Sequence, residues 1–133
     1  MTVFVDTAAL YALLDEDDLE HPRAAAWFRG PGADVDEELV THTYVVVEAA
    51  ALVHRRLGAR AVRVLLADLV PALMVRCVDE YLHQVSVAAY LAGRRRGVSL
   101  VDQVSFEIMR ADAIETAFTF DDDFVDEGFQ VVP

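Results

Sequence analysis

The sequence contains no lysine, so its formal positive charge rests on 11 arginines set against 23 acidic residues, for a net charge of -12. That balance excludes a uniformly basic binding face. Two arginine clusters nevertheless stand out, Arg55, Arg56, Arg60 and Arg63 and then Arg94, Arg95 and Arg96. Such clusters either form local basic patches on an acidic protein or decorate helix ends, where the dipole favours cations. Cysteine is nearly absent as well. The single Cys77, within the apolar stretch from Met74 to Val78, excludes an internal disulfide and a thiolate metal site, and it is expected to be a small buried hydrophobe. No apolar run approaches the roughly 20 residues of a membrane span. The N-terminus also lacks the basic start and long apolar stretch of a signal peptide, so the chain reads as cytoplasmic and not membrane-bound.

What is present is an ordinary folding composition, 55% hydrophobic and 26% charged over 133 residues, with no low-complexity tract, repeat or linker. A single domain spanning residues 1–133 is expected. Val3 to Val5 reads as a buried strand ending at Asp6, followed by a helix from Thr7 to about Asp15 and, after Pro22, a second over Ala24 to Phe28. Glu38 to Thr41 is a weaker strand candidate. Thr43 is positioned to cap a helix running from Tyr44 to Leu57 and closed by Gly58, and Ala59 to Val70 continues as another. After Pro71, Leu73 to Val78 reads as a strand, and Asp79 caps a helix to about Arg96 with Gly97 as its stop. Ser99 and Asp102 form a capping box for a further helix. Thr116 to Phe120 is a strand, Asp121 to Gly128 a turn, and Phe129 to Val132 an edge strand. Strands alternating with helices predict an α/β fold, a three-layer α/β/α arrangement whose central sheet is mostly parallel and carries helices on both faces.

In such a sheet the strand C-termini and the helix starts after them lie along one edge, where ligands bind. Asp6, Asp102 and Asp121 each occupy a position of that kind. Glu48 lies about one turn into its helix in the apolar setting Tyr44 to Ala51, on a face shared with Leu52, where a lone buried carboxylate is costly. Taken singly these acids read as turn residues, a cap and a helix residue; together they describe a carboxylate cluster. Clustered carboxylates repel unless a cation lies among them, and all-oxygen ligation suits Mg²⁺ or Mn²⁺. Such ions acidify a bound water and neutralise a phosphate, so the cluster points to phosphodiester chemistry without a serine, cysteine or histidine nucleophile. His21, His42, His54 and His83 include no pair at a recognised metal spacing and are read as structural or surface residues.

The ordered set Val5-Asp6-Thr7, Val47-Glu48, Ser99-Leu100-Val101-Asp102 with Ser105, and Thr119-Phe120-Asp121-Asp122-Asp123-Phe124 resembles the PIN-domain nucleases, in particular the VapC-type toxins of bacterial toxin-antitoxin pairs, nearly end to end. The resemblance implies a PIN-like fold, a metal-dependent endoribonuclease acting on RNA, and metal-ligand roles for Asp6, Glu48, Asp102 and Asp121, with Asp123 as an auxiliary ligand. It also implies a homodimer and a small cognate antitoxin protein that covers the site. Ala8 stands where family members often carry a small polar residue. The apolar Leu10, Leu13, Leu14, Trp27 and Phe28 either serve partner contacts or fill the core. Two alternative classes compete with this reading. Receiver and aspartate-dependent phosphatase domains use a lysine that this chain lacks, and the phosphatases carry a second aspartate where this chain has Ala8. A non-catalytic PIN-like module that binds RNA or protein remains the other class, and metal dependence separates it from the nuclease.

Overall fold

Val3, Phe4 and Val5 are almost completely buried, as an unbroken apolar run should be in a parallel strand covered on both faces. In the computed structural model, which describes residues 1–93 and 97–133, they form β1 (Thr2–Val5) at the centre of a five-stranded sheet. The other strands are β2 (Glu38–His42), β3 (Met74–Arg76), β4 (Thr116–Phe118) and β5 (Gln130–Val132), in the order β3-β2-β1-β4-β5. Every pairing is parallel, so the sheet expected to be mostly parallel is entirely so. Phe4 lies opposite Val40 on one side and Ala117 on the other.

The helices are α1 (Thr7–Leu14), α2 (His21–Arg29), α3 (Thr43–Leu57), α4 (Ala59–Val64), α5 (Glu80–Ala92), α6 (Leu100–Ala111) and the short α7 (Asp123–Asp126). The chain steps from β1 to β2 to β3 in one direction, then returns past β1 to β4 and β5. Right-handed crossovers therefore lay α1 to α4 on one face and α5 to α7 on the other. The direction reverses between β1 and β4, which places the ligand crevice outside the C-terminal ends of those two strands.

Packing fixes the rotation of the helices that matter. Val45, Ala49 and Val53, four residues apart on α3, are fully buried. Glu48 precedes Ala49 by one residue and lies about 100° round the helix from that stripe. It is half-buried rather than enclosed, which corrects the expectation of a core carboxylate. Beneath the strand ends runs a layer of rings, with His42 over Phe4 at 5.6 Å, Phe4 over Phe124 at 6.2 Å, and Phe124 against Phe106 at 5.0 Å. Leu10 is core. Leu13, Leu14, Trp27 and Phe28 are partly buried against it, Trp27 with its ring centroid 4.5 Å from that of Phe118.

Other details depart from the sequence reading. His42, not Thr43, caps α3, because its ring nitrogen reaches the amides of Tyr44 and Val45. The Thr43 hydroxyl instead accepts from the Val78 amide at 3.1 Å, tying the exit of β3 to α3. The helical run expected over Ala59 to Val70 changes pitch: α4 passes into a wider π turn at Leu65–Leu69 and a tight 3-10 turn at Val70–Ala72 that accommodates Pro71. α5 stops at Ala92, where the Gly93 amide closes on the carbonyls of Ala89 and Tyr90, rather than near Arg96. Arg94, Arg95 and Arg96 lie outside the described residues. Cys77 is exposed, since it leaves the short edge strand β3, whose Met74 and Val75 are also exposed. The stretch from Asp121 to Gly128, expected as a turn, contains α7.

Candidate functional site

Asp6 follows β1 and stands at the N-cap of α1, with its backbone amide bonded to the Phe118 carbonyl of β4. Its side chain does not cap the helix; one oxygen instead accepts from the buried Thr119 hydroxyl at 2.9 Å. The same hydroxyl accepts from the Asp121 amide at 3.0 Å, and Asp121 in turn accepts from the Asp123 amide at 2.9 Å. Thr119 thereby links an acid from the start of the chain to two near its end. Asp102 enters from α6, held by a reciprocal capping box: its Oδ2 accepts from the Ser99 amide at 2.9 Å and its own amide donates to the Ser99 hydroxyl at 3.1 Å. The segment before this helix passes beside Asp123 at Gly97, whose φ of +91° favours glycine.

The structure brings Asp102, Asp121 and Asp123 together most closely, each offering an oxygen within 4.8 Å of the other two. Asp6 and Glu48 adjoin this trio without belonging to it. Burial above all, then the charges of Asp102 and Asp121, push the Asp6 carboxyl up to about 7, against the Thr119 hydroxyl and Thr7 amide that pull it down. Asp102 is also raised, by burial first and then by Asp121 and Glu48, while its bonds to Ser99 oppose the shift. At an effective dielectric constant near 20, two unit charges at such a separation repel by about 3–4 kcal/mol. The donor set is all oxygen and anionic, so it fits a hard divalent cation whose charge offsets that repulsion.

Thr119 was legible only as part of a motif; the signal that could have found it is a threonine two residues before an aspartate, where its hydroxyl meets the Asp121 amide. His42 is fully buried, and desolvation pushes its imidazole down to about 4, so the ring is neutral at physiological pH. The Arg55, Arg56, Arg60 and Arg63 side chains are exposed. They follow Glu48 by seven residues or more, so Arg55 lies about 10 Å further along α3 and away from the strand C-termini. Arg56 also stacks over the Tyr11 ring at 5.3 Å, which gives it a structural role.

A family profile described as PIN domain matches residues 3–129 of the chain. The chain is 32% identical over 129 residues, 96% of its length and 95% of the relative's, to the 23S rRNA-specific endonuclease VapC20 of Mycobacterium tuberculosis. The crystal structure of M. tuberculosis VapC20, described as a sarcin-ricin-loop-cleaving toxin, superposes with a TM-score of 0.87 at 30% identity, covering 98% of this chain and 99% of that one. FitAcB from Neisseria gonorrhoeae, with a TM-score of 0.69 at 17% identity over 100% and 97% of the two chains, shares the fold.

Proposed function

The chain belongs to the PIN-domain family, among its VapC-type endoribonucleases, and from that premise we propose how its residues divide the work of a toxin that hydrolyses RNA phosphodiester bonds. The observation that carries the reading is the approach of Asp102, Asp121 and Asp123 to within 4.8 Å in a chain so similar to an rRNA endonuclease. Asp6, Glu48, Asp102 and Asp121 are the catalytic acids and metal ligands, with Asp123 as a further ligand, and the ion is Mg²⁺ or Mn²⁺. Bound there, the cation supplies an acidified water and neutralises charge on the scissile phosphate, leaving a 5′-phosphate and a 3′-hydroxyl. Asp6, nearly sealed from solvent and anchored by Thr119, sets one wall of the site. Asp102 is held by its capping box, and Glu48, half-buried on α3, adds its charge beside Asp102.

Large-subunit ribosomal RNA is the first substrate class to test, since it is what the relative's name specifies. Exposed arginines of the 55–63 cluster would meet the RNA backbone only at a distance from the cut, and Arg94 to Arg96 adjoin the site in sequence. We further propose that residues 1–133 act as one unit, as a homodimer in the cytoplasm, restrained by a small antitoxin. A groove of about 320 Å³ lined by apolar residues including Leu13, Leu14 and Phe28, together with His21, Arg29 and Asp68, offers such a partner a seat. Among the described residues no helix is long and apolar enough to cross a membrane.

The test is cleavage of total and ribosomal RNA by wild-type and Asp6→Asn protein with Mg²⁺, Mn²⁺ or EDTA, with cut ends mapped by sequencing. Cleavage that needs both the metal and Asp6 is expected. Undiminished cutting by Asp6→Asn, or in EDTA, would defeat the assignment.

A further inference from the structure

His42 lies where β2 becomes α3, and every polar atom of its buried ring has a partner. Nδ1 accepts from the amides of Tyr44 at 3.2 Å and Val45 at 3.3 Å, meeting two of the donors that a helix start leaves unpaired. A neutral imidazole with Nδ1 accepting must carry its proton on Nε2. Nε2 lies 2.9 Å from the Ser105 hydroxyl and donates to it, and that hydroxyl donates to the Val101 carbonyl at 3.0 Å. The four bonds run in one direction, from the α3 backbone through the ring to α6, and each step fixes the polarity of the next.

The ends of this chain of bonds are what give it consequence. Val101 adjoins Asp102, and Tyr44 and Val45 form the first turn of the helix that carries Glu48. The face of the ring stacks on Phe4, two residues before Asp6. One side chain therefore contacts the strand or helix bearing each of three acids, while touching none of the acids itself.

We propose that His42 is a positioning residue of the metal site, holding the Glu48 helix against the Asp102 helix through the Ser105 hydroxyl. The inference rests on the reading of Glu48 and Asp102 as metal ligands. Without the imidazole–hydroxyl bond, the two helices keep their apolar contacts but lose the directional tie that fixes their spacing at the site. Groups that orient metal ligands typically change affinity 10- to 100-fold when removed, and a tie acting through a helix belongs at the low end of that range.

His42→Asn retains a good helix-capping side chain but cannot reach Ser105; Ser105→Ala removes the partner and spares the cap. Mn²⁺ binding to wild type, each single variant and the double variant is measured by calorimetric titration at a temperature where thermal unfolding shows all to be folded. RNA cleavage is measured alongside, together with the ¹⁵N spectrum of the imidazole. The expected result is a roughly tenfold weaker Mn²⁺ affinity in each single variant and no further loss in the double, because the two groups act as one tie. The maximal rate falls while KM for RNA holds, and in Ser105→Ala the Nε2–H signal loses its hydrogen-bonded shift while the tautomer, fixed by the two amides at Nδ1, is kept. Wild-type Mn²⁺ affinity in Ser105→Ala overturns the proposal even if His42→Asn does not fold, as do losses that simply add in the double variant. Absence of Mn²⁺ binding by the wild-type chain instead defeats the metal reading itself.

Discussion

Replacing Asp6 by asparagine should stabilise the metal-free protein. The Asp6 carboxyl stands at about 7 in the folded chain against 3.8 for an ordinary aspartate, so between those values the folded state holds a proton that the unfolded chain has released. Stability from this group is therefore present at low pH and is lost as pH rises towards and through 7. At pH 8 the buried carboxylate is charged in surroundings that disfavour it, with a ceiling of about 4 kcal/mol set by the gap between the two values. Asparagine removes the charge and keeps an oxygen to accept from Thr119, but its amide group needs a partner of its own. A net gain of about 2 kcal/mol is expected, or about 7 °C in melting temperature for a chain of this size.

His42 supplies an internal contrast. Its folded value of about 4 lies below the 6.5 of an ordinary histidine, so its contribution is present above 6.5 and is lost as pH falls towards 4. In wild type the two residues oppose each other across that window. In Asp6→Asn the histidine acts unopposed, so urea unfolding in EDTA from pH 8 to 4.5 should show a steeper acid loss than wild type and an advantage that shrinks on acidification. Saturating Mn²⁺ should reverse the order, since wild type alone retains the full ligand set. An Asp6→Asn protein no more stable than wild type at pH 8 in EDTA, or a gap unchanged down to pH 4.5, refutes the reasoning.

Two further outcomes follow from the site. Mn²⁺ at about 100 times its Kd should stabilise wild type by about 2.7 kcal/mol in scanning calorimetry, reversibly with EDTA; an equal rise in Asp102→Asn/Asp121→Asn would place the ion elsewhere. Ser99→Ala should lose about 1 kcal/mol of stability in urea through the missing cap. It should also bind Mn²⁺ more weakly, because the Asp102 carboxylate is no longer oriented by a reciprocal box; unchanged affinity would show that the box serves the helix alone.

Local signals made much of the fold legible. The apolar run at Val3 to Val5, the capping pair Ser99 and Asp102, the Asp79 cap and Gly58 each act over a few residues, and the structure carries out each as expected. The readings that needed correction depend on tertiary context. Cys77 sits in apolar sequence, but it leaves an edge strand, so hydrophobic neighbours in sequence do not enclose it. Thr43 is a good cap by residue type, yet the buried neighbouring ring of His42 reaches the same amides and excludes it. Glu48 was placed on the core face by its spacing to Leu52, whereas the stripe that is fully buried runs through Val45, Ala49 and Val53. The convergence of Asp6, Asp102 and Asp121 was legible because parallel topology brings strand ends and helix starts to one edge. The hydroxyls of Thr119 and Ser105 span 113 and 63 residues of sequence to their partners, and no local pattern reports a bond of that kind.

The placement of the acids explains how mutually repelling carboxylates can belong to a stable fold. Asp6 stands at the start of α1, Asp102 in the first turn of α6 and Asp123 at the first residue of α7. The longer helices α1 and α6 direct the positive ends of their dipoles towards that region, an effect worth about 0.3–1 kcal/mol per charge and more where water is partly excluded, while the four-residue α7 supplies the Asp123 amide that Asp121 accepts. Those contributions do not cancel a repulsion of about 3–4 kcal/mol between close neighbours. They leave the acids ordered but electrostatically unsatisfied. The result is a preference for a compact divalent cation, since an arginine brought into the same space would supply one charge on a side chain that also needs room. A chain of net charge -12 can therefore approach RNA without a broad basic surface. A divalent cation held there would concentrate attraction for phosphate at the site, and the acidic remainder discourages binding elsewhere along the polymer.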